Sequence, residues 1–278
     1  MILERTIAPV FAANCYVLAP APGAPALVVD PGAGAAHRVL ALLRSNRLTL
    51  GAVLLTHGHA DHVWDTSALI EAARADGLLT VEDPADSAAS VPVYIPEPDR
   101  YRLEDPDATT GISAAGMTFA DLAGTPWVPP ADVRSFPGQG FSSAVELVPG
   151  IAMRAVAAPG HSEGSSLFLL DASVSDNAIL VEAEVPQIMD ADPSELDKEH
   201  DYLLALDGDV IFKGSVGRTD LPGGDQVQMF ATLRFLATAL DPATVLLPGH
   251  GAATTMAHEH YANPYLAEAK VRGGDLRP

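Results

Sequence analysis

Thr56-His57-Gly58-His59-Ala60-Asp61-His62 decides how this chain is read. It follows an apolar run, Ala52-Val53-Leu54-Leu55, that predicts a buried strand ending at the motif. Three histidines and an aspartate then crowd one tight turn. Imidazole and carboxylate together make a ligand set for zinc, iron or manganese. A solvent-facing, His-rich loop is the plainer alternative, but the whole chain has only nine histidines. Three further positions supply context. Pro159-Gly160-His161 follows the strand-like run from Ile151 to Ala157, and Asp209 opens the short strand signal Asp209-Val210-Ile211-Phe212. Pro248-Gly249-His250 follows Thr244-Val245-Leu246-Leu247. Each candidate ligand is therefore expected at the end of a strand, where a rigid element holds a side chain in place. Five histidines and two aspartates suffice for two adjacent metals that share a bridge.

Taken together, these residues resemble the metallo-β-lactamase superfamily of metallo-hydrolases. Within it, Asn14-Cys15-Tyr16-Val17-Leu18, Asp30-Pro31-Gly32 and the run from Gly208 through Gly217-Arg218-Thr219-Asp220 are similar to the glyoxalase II-like (hydroxyacylglutathione hydrolase-like) branch. The likeness runs from about Asn14 to Leu266. It implies an α/β fold, a four-layer αββα sandwich of two mixed sheets face to face with helices outside. The site would lie at the sheets' shared edge, and residues 1–278 would form a single domain. It also implies that His57, His59 and His161 hold one metal, that Asp61, His62 and His250 hold the other, and that Asp209 bridges them. Asp30 would lie beneath the metals and support a ligand; a turn aspartate is the plainer role.

Composition bounds the rest. Hydrophobic residues make up 48% and charged residues 19%, the balance of a globular protein. The net charge is −20, and the 16 Lys and Arg do not cluster, so no surface can track phosphates. That counts against nucleic acid as a substrate. The single cysteine, Cys15, rules out an internal disulfide and fits a reducing compartment; its apolar run predicts a buried core thiol. The N-terminus makes a poor signal peptide and no apolar run is long enough to span a bilayer, so a cytoplasmic location without membrane contact is expected.

Along the chain, strands are expected at Cys15–Ala19 and Ala26–Asp30, with a helix near Ala35–Arg47. Asp65 or Thr66 should cap a helix running to Asp76, stopped by Gly77. The motif would then sit where that helix begins, so that its dipole favours an anion. Val91–Ile95 reads as a strand, and Pro96 to about Gly140 as a long surface loop with short helical pieces. An acidic insertion at about 171–206, unlike the resembled branch, reads as a solvated excursion, with a partner or dimer surface as the sharper alternative. It would hold a strand at Ala178–Val181 and a helix at Pro193–Leu204. Asp225 should cap a helix burying Val227, Phe230, Leu233, Leu236 and Leu240, and Asn263-Pro264 opens a last one.

The chemistry of such a site can be stated independently of any family. Two cations about 3.5–4 Å apart lower the pKa of a shared water toward neutrality, and the bridging hydroxide can attack a carbonyl polarised by one of them. A small-molecule thioester suits it, because a thiol of pKa about 8.5 leaves without strong acid help. No Gly-x-Ser-x-Gly element suggests a serine hydrolase. Zinc is the first candidate metal, with iron or manganese also fitting. The resemblance points to Arg218, and more weakly Lys213, as the cation that meets the thiol carrier's carboxylate. For Arg218 an ion pair with Asp220 or Asp225 is the structural alternative. Tyr261 and Tyr265 read as packing residues, and His258 and His260 as an exposed helix face away from the metals. The chain ends soon after His250, which puts in doubt the helical region that holds glutathione in full-length glyoxalase II.

The expected activity is thus hydrolysis of a 2-hydroxyacyl thioester. A persulfide dioxygenase-like oxidoreductase, with one iron on His57, His161 and Asp209, uses the same fold. A non-catalytic metalloprotein that binds a partner through its insertion is the third reading. Oligomeric state is left open, with a homo-oligomer admitted.

Overall fold

The structure is a computed structural model, and it describes residues 1–80, 90–111, 116–136, 143–174, 178–186 and 200–272. Two six-stranded sheets organise it. The first runs in the order β1 (Ile2–Ile7), β2 (Asn14–Ala19), β3 (Pro25–Val29), β4 (Thr49–Leu54), β5 (Val93–Ile95), β6 (Val133–Ser135). β1–β3 pair antiparallel, whereas β3–β6 run parallel. The second sheet contains β7 (Val145–Val148), β8 (Ile151–Ala157), β9 (Ser166–Ala172), β10 (Tyr202–Gly208), β13 (Val245–Pro248) and β14 (Thr254–Thr255). Its β10 and β13 are parallel and its other pairs antiparallel. A small ribbon, β11 (Ile211–Phe212) with β12 (Ser215–Val216), stands apart from both sheets.

Alternation along the strands sends side chains into two faces, and the cores follow from it. Leu18, Leu27 and Leu54 of the first sheet meet Met153, Phe168, Leu204, Leu206 and Leu247 of the second in one cluster between the sheets. The opposite face of the first sheet packs Val17, Val28 and Val53 against α1 (Ala36–Ser45) and α3 (Thr66–Ala75) through Val39, Leu43 and Leu69. That of the second packs Leu167, Leu169 and Leu246 against α6 (Gln226–Ala239) and α8 (Pro264–Arg272). The result is helix, sheet, sheet, helix: the expected four-layer sandwich. Cys15 is buried in it as a free thiol, and burial holds its pKa well above the ordinary value. No helix among the described residues is long and apolar enough to cross a membrane.

Strand directions place the site. β3 and β4 are parallel, and β8, β10 and β13 share one direction because β9 runs antiparallel to both β8 and β10. The carboxyl ends of β3 and β4 in one sheet, and of β8, β10 and β13 in the other, therefore bring Asp30, the histidine motif, His161, Asp209 and His250 together at one edge.

Several local expectations change. β1 and β6 carry too few apolar residues to announce themselves. Ala178–Glu182 is a helix, α5, not a strand. Tyr202–Leu204 belong to β10, where Leu204 pairs with both Leu170 and Val245; His200 and Asp201 are not helical, and residues 193–199 of the expected helix, with the insertion's acidic residues Asp190 to Glu199, fall outside the described residues. Asp209 thus lies just past the end of β10 and just before the short strand β11 that its apolar run predicts. Val227 is 78% exposed, not inward, and Met229 takes its place in the core. The motif leads into α2 (Ala60–Val63), a single turn, and α3 starts only afterwards, so no long helix aims its dipole at the histidines. Asp65 does not cap α3: its carboxylate accepts from the Gly34 and Ala36 amides and holds the start of α1. Asp225 and Asn263 cap as expected.

Candidate metal centre

Two groups of side chains converge at the sheet edge. In the first, His57, His59 and His161 present ligand atoms within 4.8 Å of one another, and His59 Nδ1 lies 2.7 Å from His161 Nε2. In the second, Asp61, His62 and His250 do the same: His250 Nε2 is 3.3 Å from Asp61 Oδ2 and 3.3 Å from His62 Nε2. Asp209 lies between the groups. Its Oδ2 is 3.5 Å from both His161 Nε2 and His250 Nε2, and its Oδ1 is 3.3 Å from His62 Nε2. The seven residues singled out by the motifs are thus brought together.

The donors fit a pair of cations. His57 Nε2 and Asp209 Oδ1 are buried yet have no hydrogen-bond partner among the described residues, a costly state for polar atoms unless something binds them. Charge is arranged for it. Burial, with the neighbouring histidines His62 and His59, drives the His57 pKa well below its usual value, and burial with His161 takes that of His59 down to about 3. Both rings stay neutral and keep a lone pair. Burial would raise the pKa of Asp209, but His62, His250 and His161 outweigh it and hold the carboxylate well below its ordinary range.

Outer contacts orient several of the candidate ligands. Asp30, in a left-handed conformation (φ 50) just past β3, accepts from the Thr56 amide at 2.7 Å and the Thr56 hydroxyl at 2.6 Å, and it meets His62 Nδ1 at 3.0 Å. With both oxygens engaged it orients His62 and leaves Nε2 for the site, as metal-bound histidines require. Asp30 therefore orients His62 instead of merely closing a turn. His161 Nδ1 donates to the Arg218 carbonyl at 2.7 Å. The Gly-Arg-Thr-Asp run thus acts through a backbone oxygen, and Gly217 permits the approach: a Cβ there would collide with the Asp209 carbonyl and sit 3.0 Å from His161 Nδ1. Gly249 is equally constrained, since a Cβ would run into Asp209 Oδ1 and lie 2.6 Å from His62. Asn14 and Tyr16, from the first sheet, donate to the Pro248 carbonyl at 2.9 and 2.8 Å and secure the turn that carries His250.

One supporting residue had no signal in the sequence. Asp99 lies in the Pro-rich stretch that reads as surface loop, yet it is fully buried. Its Oδ2 accepts from the Gly58 amide at 2.8 Å and the Ser162 hydroxyl at 2.7 Å, and its Oδ1 from the Gly164 amide at 2.6 Å. It thereby links the His57–His62 turn to the His161 turn. The buried Arg102 guanidinium backs it at 3.3 Å and also pairs with Glu163.

The expected substrate cations are both engaged. Lys213 pairs with Glu184 at 2.7 Å, and Arg218 grips Asp220 with two bonds of 2.7 and 2.6 Å. Glu184 also meets His258 at 3.1 Å, while Glu182 holds Arg5 and accepts from the Ala253 amide. Glu182 and Glu184 of the insertion are therefore ion-paired, whereas Asp201 is exposed and Asp190 to Glu199 fall outside the described residues. His258 and His260 stay away from the ligands, as expected, but Tyr261 is 95% exposed and does not pack.

A family model described as the metallo-beta-lactamase superfamily matches residues 8–168. The chain belongs to that superfamily. Relatives in it include an uncharacterised protein of Mycobacterium tuberculosis, 33% identical over 96% of this chain and 98% of its own length. A hydroxyacylglutathione hydrolase, GloC, of Haemophilus influenzae is 25% identical over 87% of each chain. Among solved structures, a B3 metallo-beta-lactamase named BLEG-1 matches with a TM-score of 0.65 and 25% identity, covering 95% of this chain and 99% of its own. A protein solved in a di-iron-bound form, TTHA1623, matches at 0.61 and 28%, covering 94% and 99%.

Proposed function

We propose that this metallo-β-lactamase superfamily member is a metal-dependent hydrolase that cleaves a thioester, with 2-hydroxyacyl thioesters as the first class to test. The observation that carries the reading is Asp209, whose two carboxylate oxygens reach histidines of both ligand groups. His57, His59 and His161 would hold one divalent cation and Asp61, His62 and His250 the other, with zinc as the first candidate and iron the second. Such a pair supplies Lewis acidity and a water of lowered pKa. The chain's own contribution is placement. Asp30 and the Arg218 carbonyl fix two imidazoles, Asp99 ties the two histidine turns together, and a cavity of about 470 Å³ opens directly from His59, His161 and His250 to receive substrate. In the net reaction water adds to the acyl carbon and the C–S bond breaks. A carboxylic acid and a free thiol leave, and a thiol of pKa about 8.5 departs without a dedicated acid. The hydroxyacylglutathione hydrolase among its relatives supports the same class.

The test is thiol release from lactoyl thioesters of glutathione and of N-acetylcysteamine by zinc-loaded and iron-loaded protein. Turnover should exceed that of chelated protein and vanish in Asp209→Ala; no release from any thioester would refute the reading. A second reading, a mononuclear-iron persulfide dioxygenase, draws on His57, His161 and Asp209 as two histidines and a carboxylate, a ligand set that suits iron. It requires oxygen uptake with a glutathione persulfide and retention of activity when His250 is replaced by Ala.

A further inference from the structure

We propose that the cavity beside the histidines binds an uncharged, apolar segment flanking the thioester rather than a carrier held by its carboxylates; this deepens the hydrolase reading and rests on it. Beside the ligands the cavity is lined by Phe11, Phe212, Val216 and Leu221, with Thr110, Ser215 and Arg218 as its other polar residues. Phe11 is 52% exposed at this wall and is held there at some cost. It and Ala12 both adopt left-handed backbone (φ 59 each), a conformation non-glycine residues rarely take. Its ring is seated edge-on against Phe119, with centroids 5.6 Å apart. The turn is tied to the site, because Asn14 donates its amide to the Gly249 carbonyl at 2.6 Å. Phe212 stands edge-on to the His250 ring at 5.8 Å, so apolar surface reaches the ligands themselves.

Charge points the same way. Among the described residues, Arg218 is the one arginine or lysine on the wall, and Asp220 takes two of its donors, Nε and Nη2. Lys213, the other cation of the segment, is spent on Glu184 and does not line the cavity. Apart from the metals themselves, a carrier with two carboxylates would meet no arginine or lysine on this wall that lacks a carboxylate partner, and desolvating an unpaired carboxylate is costly. A methylene entering an apolar wall gains about 0.8 kcal/mol, or about fourfold in affinity.

Calorimetry on the zinc-loaded protein with non-hydrolysable thioethers tests this. One series lengthens the S-alkyl group of N-acetylcysteamine from methyl to butyl; the other lengthens the N-acyl group on a fixed S-methyl. We expect Kd to fall about fourfold per methylene in at least one series, which also shows whether the acyl or the thiol side enters. Phe212→Ala should flatten that slope, and S-butylglutathione should bind at least tenfold more weakly than S-butyl-N-acetylcysteamine. Asp220→Asn, which frees Arg218, should tighten S-butylglutathione alone by up to about fivefold, the upper end for an exposed pair. Flat series, or a glutathione thioether that binds wild type more tightly than its neutral counterpart, would overturn the proposal. Thioester turnover is scored separately, so its absence would sink the hydrolase reading while these affinities still judge the cavity.

Discussion

Replacing Asp99 by Asn keeps the shape of the side chain and removes its charge, in a residue that touches neither candidate metal group. The carboxylate accepts on both oxygens: Gly58 and Ser162 on one, Gly164 on the other. An amide can turn its single oxygen to only one side, so its NH₂ must face at least one backbone N–H. A lost charged hydrogen bond in a buried site costs about 1.5–3 kcal/mol. Arg102 also loses an anionic neighbour at 3.3 Å, though Glu163 remains, so the full penalty of about 3–5 kcal/mol for a broken buried pair does not apply. The sum is about 3 kcal/mol of lost stability. Because Asp99 joins the turns that carry His57–His62 and His161, metal affinity should fall with it, by about 10- to 100-fold as for other residues that orient ligands. Urea unfolding of chelated protein reads the first effect and competition with a chromogenic chelator reads the second. A variant within about 0.5 kcal/mol of wild type, with metal affinity within about twofold, would refute the reasoning.

Asp30→Ala removes the acceptor that faces His62 Nδ1, so metal should be lost preferentially from the Asp61, His62 and His250 group; equal loss from both groups, read by metal content during stepwise chelation, would contradict that role. Gly249→Ala drives a methyl group into Asp209 and His62 and should lower stability by about 1–3 kcal/mol while weakening metal binding, whereas an unchanged melting temperature and metal content would show that the turn yields. Burial raises the Cys15 thiol, so the reactive thiolate, which grows as pH rises toward the pKa, stays scarce at pH 8 in the folded protein. Iodoacetamide should label it at pH 8 only after unfolding in urea, and prompt labelling of native protein would place Cys15 outside the core.

Much of this was legible in the chain because the ligands sit on turns that directly follow apolar strands. His57, His161 and His250 each follow a run that the core demands, so chemistry and fold share one signal. Asp209 is legible through the apolar run it opens, part of which is β11, whereas β10, the strand that leads into it, is not. Tyr202–Gly208 lies next to an acidic stretch, and burial on both faces erases the alternation that marks a half-exposed strand. A deletion of 173–204 meant to test the insertion would therefore cut β10 itself, and it would remove the Glu182 and Glu184 anchors too. Asp99 was invisible for another reason. It is one carboxylate in a Pro-rich stretch, and its partners, at Gly58, Ser162 and Gly164, come from distant turns that only the folded edge brings together. The pairing of Lys213 with Glu184 is likewise a product of tertiary structure. The sequence offered a cation and a family role for it, and the fold supplies the carboxylate that occupies it.

The account stands on two ligand groups joined by Asp209, and metal content tests that most directly. Chelated protein should be reloaded with zinc, passed through a desalting column and analysed for metal per chain alongside Asp209→Ala. About two zinc ions per wild-type chain, falling to one or fewer in the variant, is the predicted result. One ion per wild-type chain, or two retained without Asp209, would contradict the joined site.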